Sequence, residues 1–238
     1  MPDPTAPTPI VMAWSGGKDS MLALDALRAD ARWRVVALVA SVTRDDERVL
    51  AHGVRNDLLR MQANLMRLPI EFSWHAPGDS KDPYEVAWAN ALARVQTRYG
   101  PVSDIAYGDL FLADVRAYRD AQCNALGWTT HYPLWGQDTG RLAERFIAER
   151  YQALLTCVDT TQLDAMFVGR SFTQALLDAL PDGVDPCGER GEFHTFVNHA
   201  PSFSAPIRVA VRSGIRRDAR FEYAELDLVP ESVDSFLL

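Results

Sequence analysis

Ser15-Gly16-Gly17-Lys18-Asp19-Ser20 sets two glycines, a lysine, an aspartate and two hydroxyls directly behind the apolar run Ile10-Val11-Met12-Ala13-Trp14. Glycines let a backbone turn sharply and approach an anion closely, and a helix starting here would add unpaired N–H groups and the positive end of its dipole. Lys18 contributes a point charge, and the Ser15 and Ser20 hydroxyls can donate to phosphate oxygens. Such a loop can cradle the phosphates of a nucleotide; taken alone, it can also be a plain strand-to-helix turn. It is not G-x-x-x-x-G-K-[ST], because Asp19 follows the lysine and no glycine lies five residues before Gly17. Nor is it the dinucleotide G-x-G-x-x-G.

The elements that must hold this loop alternate between strand and helix. Residues 9–14 have strand length, and residues 19–29 carry Met21, Leu24 and Leu27 at three-residue spacing, as a helix would. Residues 33–41 are valine-rich and apolar, which suits a buried parallel strand. Val54, Leu58, Met61, Leu65 and Leu68 then keep to one helical face. A third strand is predicted over 69–75, a third helix over 82–100, a fourth strand over 103–109 and a fourth helix over 111–126. This alternation predicts an α/β sandwich with a mostly parallel sheet, whose ligands bind at the carboxyl ends of the strands.

Beyond residues 131–140 the pattern changes. A helix is expected at 140–149, a strand at 151–158 and a helix at 172–180. A Gly/Pro/Asp-rich loop then carries 186–203, and strands follow within 206–215 and 220–230. The expected organisation is a flexible leader at 1–8, a nucleotide-binding domain at 9–135 and a smaller α+β domain at 136–238.

The chain has 238 residues, 24 Lys and Arg against 32 Asp and Glu, and a formal net charge of -8. No overall positive field attracts a polyanion, which disfavours a long nucleic-acid surface. Cys123, Cys157 and Cys187 are widely spaced, with no C-x-x-C pair, so zinc and iron–sulfur sites are not indicated and a reducing, cytoplasmic setting fits best. The proline-rich start does not read as a secretory signal, and no apolar run is long enough to cross a bilayer. A homo-oligomer is left open.

Ser15 to Ser20 in this context resembles the PP-loop of the N-type ATP pyrophosphatases, which cleave ATP between the α and β phosphates. The likeness continues at Gly108-Asp109, Pro133-Leu134-Trp135 and the late run Gly188 to Phe196, G-E-R-G-E-F-H-T-F. Together these are similar to the PP-loop branch that contains diphthine–ammonia ligase, over roughly residues 9–209, and the forms around His52 and His194 look like its bacterial members. The resemblance implies a Rossmann-like fold of the adenine nucleotide alpha hydrolase type. It also implies an ATP-dependent ligase that forms AMP and pyrophosphate, adenylating a small-molecule or protein-borne carboxylate and passing ammonia to it. A tRNA-base modification enzyme and a non-catalytic ATP or AMP regulator are the alternatives.

In that reading Ser15, Gly16, Gly17, Lys18, Asp19, Ser20 and Gly108 hold ATP, and His52 contacts adenine or ribose. Asp19 and Asp109 are the hard-oxygen candidates for Mg²⁺, with helix capping as the alternative for each. Asp109, Glu189, Glu192 and His194 are the catalytic candidates. Either glutamate can bind ammonium, deprotonate it or orient the amine-bearing end, and His194 can serve as the base. A solvent-facing turn is the alternative for the late motif. Trp135 is expected to be a packing anchor between the domains, Cys187 a buried inert thiol, and Arg44 and Arg55 partners of phosphate or carboxylate.

Overall fold

Five parallel strands, β1 (Thr8–Ala13), β2 (Trp33–Thr43), β3 (Ile70–His75), β4 (Asp104–Ala106) and β5 (Thr129–His131), form one sheet in the order β3-β2-β1-β4-β5. The computed structural model describes residues 6–76 and 80–229; residues 1–5 of the expected leader and the end of the expected 220–230 strand at Pro230 lie outside them. Helices α1 (Lys18–Ala29), α2 (Asn56–Leu65), α3 (Lys81–Tyr99) and α4 (Ala113–Ala125) connect the strands.

Side-chain alternation along the strands builds the two helical layers. Ile10 and Met12 of β1, with Leu38, Ala40 and Val42 of β2, join the core that holds Leu24 of α1 and Leu58 of α2. Val11, Ala37 and Val39 point the other way, into a second core with Trp88, Leu92 and Val95 of α3 and Cys123 of α4. Because β1 pairs with β2 on one side and β4 on the other, the order in which successive strands join the sheet reverses there. A crevice opens at such a switch point, at the carboxyl ends of the strands. The Ser15–Gly17 loop leaves β1 there, and Gly108 and Asp109 follow β4.

After α5 (Thr139–Ala148), four antiparallel strands, β6 (Gln152–Asp159), β7 (Phe193–His199), β8 (Val209–Asp218) and β9 (Phe221–Leu228), make a second sheet in the order β7-β6-β9-β8. Phe193, Phe196, Val197 and Leu226 of this sheet belong to the same core cluster as α1 and α2. The two sheets thus share one core, and β7 lies against the glycine loop.

Two expectations change, and β5 is an addition to them. β5 is a three-residue edge strand, Thr-Thr-His, too short to carry a period. The helix expected at 172–180 is α6, only Gln174–Leu177: Phe172 N–H donates to the Ala153 carbonyl of β6 and Thr173 caps the start, and Pro181 disfavours helical backbone at Leu180. The segment read as loop over 186–203 becomes strand from Phe193, where its alternate side chains Phe193 and Thr195 are buried.

Candidate active site

Gly17 stands at the N-cap of α1 in extended conformation and supplies no side-chain cap. Among the described residues, the N–H groups of Gly16, Asp19 and Ser20 donate to no loop or side-chain acceptor. Open amides at a helix start are what an anion needs. Ser15 and Ser20 brace the turn: Gly17 N–H donates to Ser15 Oγ at 3.3 Å, and Ser20 Oγ donates to the Gly17 carbonyl at 2.9 Å. Asp19 is not a cap. Gly16 has φ 79°, a backbone region that favours glycine.

Strand β7 holds the loop from the far side. Thr195 Oγ1 accepts the Lys18 N–H at 3.0 Å, the Thr195 carbonyl accepts from His52 Nδ1 at 3.0 Å, and Val197 N–H donates to the Gly16 carbonyl at 2.9 Å. A carbonyl only accepts, so the proton of neutral His52 sits on Nδ1 and Nε2 is left as an acceptor. Burial pushes the His52 pKa down to about 4. His194 lies with its ring centroid 4.6 Å from that of His52, and burial, then His52 and Lys18, hold its pKa well below the usual value. Both imidazoles are neutral at physiological pH.

Gln62 of α2 is fully buried and ties three elements together. Its Nε2 donates to the carbonyls of Gly16 at 3.0 Å and Val197 at 2.7 Å, while Oε1 accepts from Trp14 Nε1 at 3.0 Å. Sequence reasoning passed over it, although a polar residue one turn from Leu58 on an apolar helical face is the signal that marks it. Gln62→Leu strands these partners, each unmet buried group costing ~1–3 kcal/mol. Urea unfolding is expected to show a loss of about 3 kcal/mol, and a change below about 0.5 kcal/mol would remove Gln62 from this role.

The acids come from two loops. Asp19 accepts from Lys18 Nζ at 2.8 Å through Oδ2, while its Oδ1 is buried without a partner. Burial raises the Asp19 pKa against the pull of Lys18. Lys18 Nζ also donates to the Cys187 carbonyl and lies 5.9 and 5.5 Å from the ring centroids of Phe172 and Phe193. Burial works against its charge, but Asp19 and its other neighbours outweigh that and keep its pKa above the usual lysine value. The Cys187 thiol is buried and donates to the Thr139 carbonyl, and burial pushes its pKa up.

Glu189 reaches across the crevice: its Oε1 accepts from Leu110 N–H at 2.7 Å and more weakly from Phe111 N–H at 3.4 Å. Burial raises its pKa to about 7; the Leu110 N–H works against this, and Asp19 and Asp109 add to it. Asp109 pairs with Arg119 of α4 through Oδ1 to Nη2 at 3.2 Å and Oδ2 to Nε at 2.9 Å. Gly108 backs onto the first turn of α1.

Glu192 is not brought to this group. It is buried, and its two oxygens accept the N–H groups of Asp185 and Arg190, both at 2.9 Å. With Asp185, whose Oδ1 accepts from Cys187 N–H at 2.9 Å, it folds the loop that presents Glu189. Arg55 is turned to Asp57 and Asp227 at 3.3 and 3.5 Å, and Arg44 is exposed and outside the cavity. Trp135 is half-buried against Tyr132 and Arg116, whereas its neighbour Leu134 enters the shared core.

Lys18, Asp19, His52, Asp109, Glu189 and His194 all line one cavity of about 380 Å³. Among the described residues no three His, Cys, Asp or Glu side chains form a metal site by themselves. Mg²⁺ needs no such cage, because it takes one or two carboxylates with phosphate oxygens and water. The unpartnered Oδ1 of Asp19 fits that donor set. No described helix is long and apolar enough to cross a membrane.

Two family models match the chain. One, described as the diphthamide synthase N-terminal domain, covers residues 8–130, and the other, described as the diphthamide synthase C-terminal domain, covers residues 138–225. No curated protein matches it.

Proposed function

On the premise that this chain belongs to the diphthamide synthase family, PP-loop ATP-utilising enzymes related to diphthine–ammonia ligase, we propose that it is an AMP- and pyrophosphate-forming amide ligase. The observation that carries this reading is Glu189. Its carboxyl, accepting from the Leu110 N–H at 2.7 Å, lines the same cavity as Asp19, Asp109 and the first turn of α1, and burial there raises its pKa to about 7.

A carboxylate oxygen of the acceptor attacks the α phosphorus, the bond from that phosphorus to the α–β bridging oxygen breaks, and pyrophosphate departs with the electron pair. The turn at Ser15–Gly17 and the first amides of α1 stabilise that departing charge. Ammonia then attacks the acyl carbon, the carbon–oxygen bond to AMP breaks, and the amide remains. Glu189 takes the proton that ammonium or the attacking amine must lose, since its pKa lies near operating pH. His52 and His194 are much weaker bases in this setting, and they serve as hydrogen-bonding groups toward the nucleotide. Asp19 and Asp109 would hold Mg²⁺, which when bound lowers the charge cost of bringing a carboxylate to a triphosphate.

The test uses purified protein, Mg-ATP, ammonium chloride and a cell extract that supplies acceptors. AMP and pyrophosphate in equal amounts, dependent on the extract, are expected. ADP with phosphate would reject adenylation.

A further inference from the structure

An acceptor carboxylate entering this cavity meets Asp19, Asp109, Glu189 and the phosphates of ATP, all of which repel it. Lysine and arginine occur only twice in the cavity lining among the described residues. Lys18 is enclosed at the loop end, committed to Asp19 and the Cys187 carbonyl. Arg119 is the other.

Leu112, Val115 and Arg119 follow one another at helical spacing, so one face of α4 and its approach forms this wall of the cavity. The Arg119 guanidinium lies 4.4 Å from the centroid of the buried Tyr107 ring; its Nη2 donates to Asp109 Oδ1, and its Nε lies 2.9 Å from Asp109 Oδ2 as an ion pair without a hydrogen bond. Nη1 donates to no described residue. A planar fork, stacked on a ring and held from one side, is preorganised for a carboxylate on the other.

Resting on the ligase reading above, we propose that Arg119 is the anchor for the acceptor's carboxylate. The apolar neighbours Leu112 and Val115 add that the carboxylate sits at the end of a short aliphatic stem rather than on a densely charged head. Asp109 then acts on Arg119 as a positioning partner as well as on the phosphate side.

Fluorine NMR of difluoroacetate provides a test that needs no knowledge of the natural acceptor. The spectra are taken with the full chain saturated by Mg²⁺ and a non-hydrolysable ATP analogue. Wild-type protein should broaden the fluorine signal saturably, and butyrate should reverse the broadening. Arg119→Gln should weaken that binding by at least about tenfold, the usual effect of losing a charged hydrogen bond, and Arg119→Lys should restore part of it. Calorimetry without Mg²⁺ should find the affinity for the analogue within about threefold of wild type in both variants, since the open amides of the cradle lie elsewhere and Asp109 then holds no metal.

No saturable, butyrate-sensitive broadening by wild type would overturn the proposal, as would equal broadening by Arg119→Gln. A comparable loss of nucleotide affinity would also overturn it, by placing Arg119 on the phosphates. The two readings fail separately: ADP formation with intact carboxylate binding sinks the ligase alone, and AMP formation with an indifferent Arg119→Gln sinks the anchor alone.

Discussion

Glu189→Gln lowers ammonia-dependent turnover by about 10²- to 10⁴-fold, the usual contribution of a positioned general base. The amide oxygen of glutamine still accepts the Leu110 N–H, so the loop keeps its place and calorimetry finds Mg-ATP affinity little changed. The wild-type rate should also carry the signature of this group. The base must be deprotonated, and its pKa is raised to about 7; activity therefore falls as pH drops below about 7, roughly tenfold per unit. In the variant the break near 7 is lost, and the rate instead follows the fraction of free ammonia, rising with pH toward the ammonium pKa. A variant with the same limb and near-normal turnover would transfer the proton to another group.

Gly108→Ala is expected to be comparably severe for a different reason. A Cβ at this position would lie 2.9 Å from the Asp19 carbonyl carbon and 2.9 Å from the Ser20 nitrogen. Both are backbone atoms of the first turn of α1, which cannot swing aside as a side chain can. Relief requires the cradle to move away from β4, and overpacking of this sort costs about 1–3 kcal/mol of stability. A displacement near 1 Å between reacting groups can cost about 10² in rate. Turnover should therefore fall at least about 100-fold, with a lowered thermal midpoint and weakened Mg-ATP binding. Normal Mg-ATP affinity in Gly108→Ala would show that α1 and β4 do not meet as described.

Much of this was legible in the chain because short-range physics wrote it. The alternation of apolar runs with helical spacing marks the parallel sheet, and Gly16-Gly17 before Lys18 marks the turn where β1 gives way to α1. What could not be read depended on contacts between distant residues. Thr195 and Gln62 bind the loop across 177 and 46 residues of chain, and nothing local in either segment announces the partner. The late motif contains both Glu189 and Glu192, three residues apart with similar neighbours. Only the folded loop separates them, turning Glu189 to the Leu110 N–H and Glu192 back onto its own backbone. Arg119 was overlooked because its value comes from Tyr107 beneath it and Asp109 beside it, although Leu112, Val115 and Arg119 already share a helical face in the sequence.

The central claim is that the acceptor carboxylate is joined to AMP before ammonia enters. Exchange of radiolabelled pyrophosphate into ATP, measured with Mg²⁺ and the extract fraction that supports AMP formation but without ammonium, reads that step alone. The account predicts exchange that requires the fraction, proceeds without ammonium and survives Glu189→Gln. AMP formation with ammonium, unaccompanied by any exchange without it, would contradict a separate adenylation step.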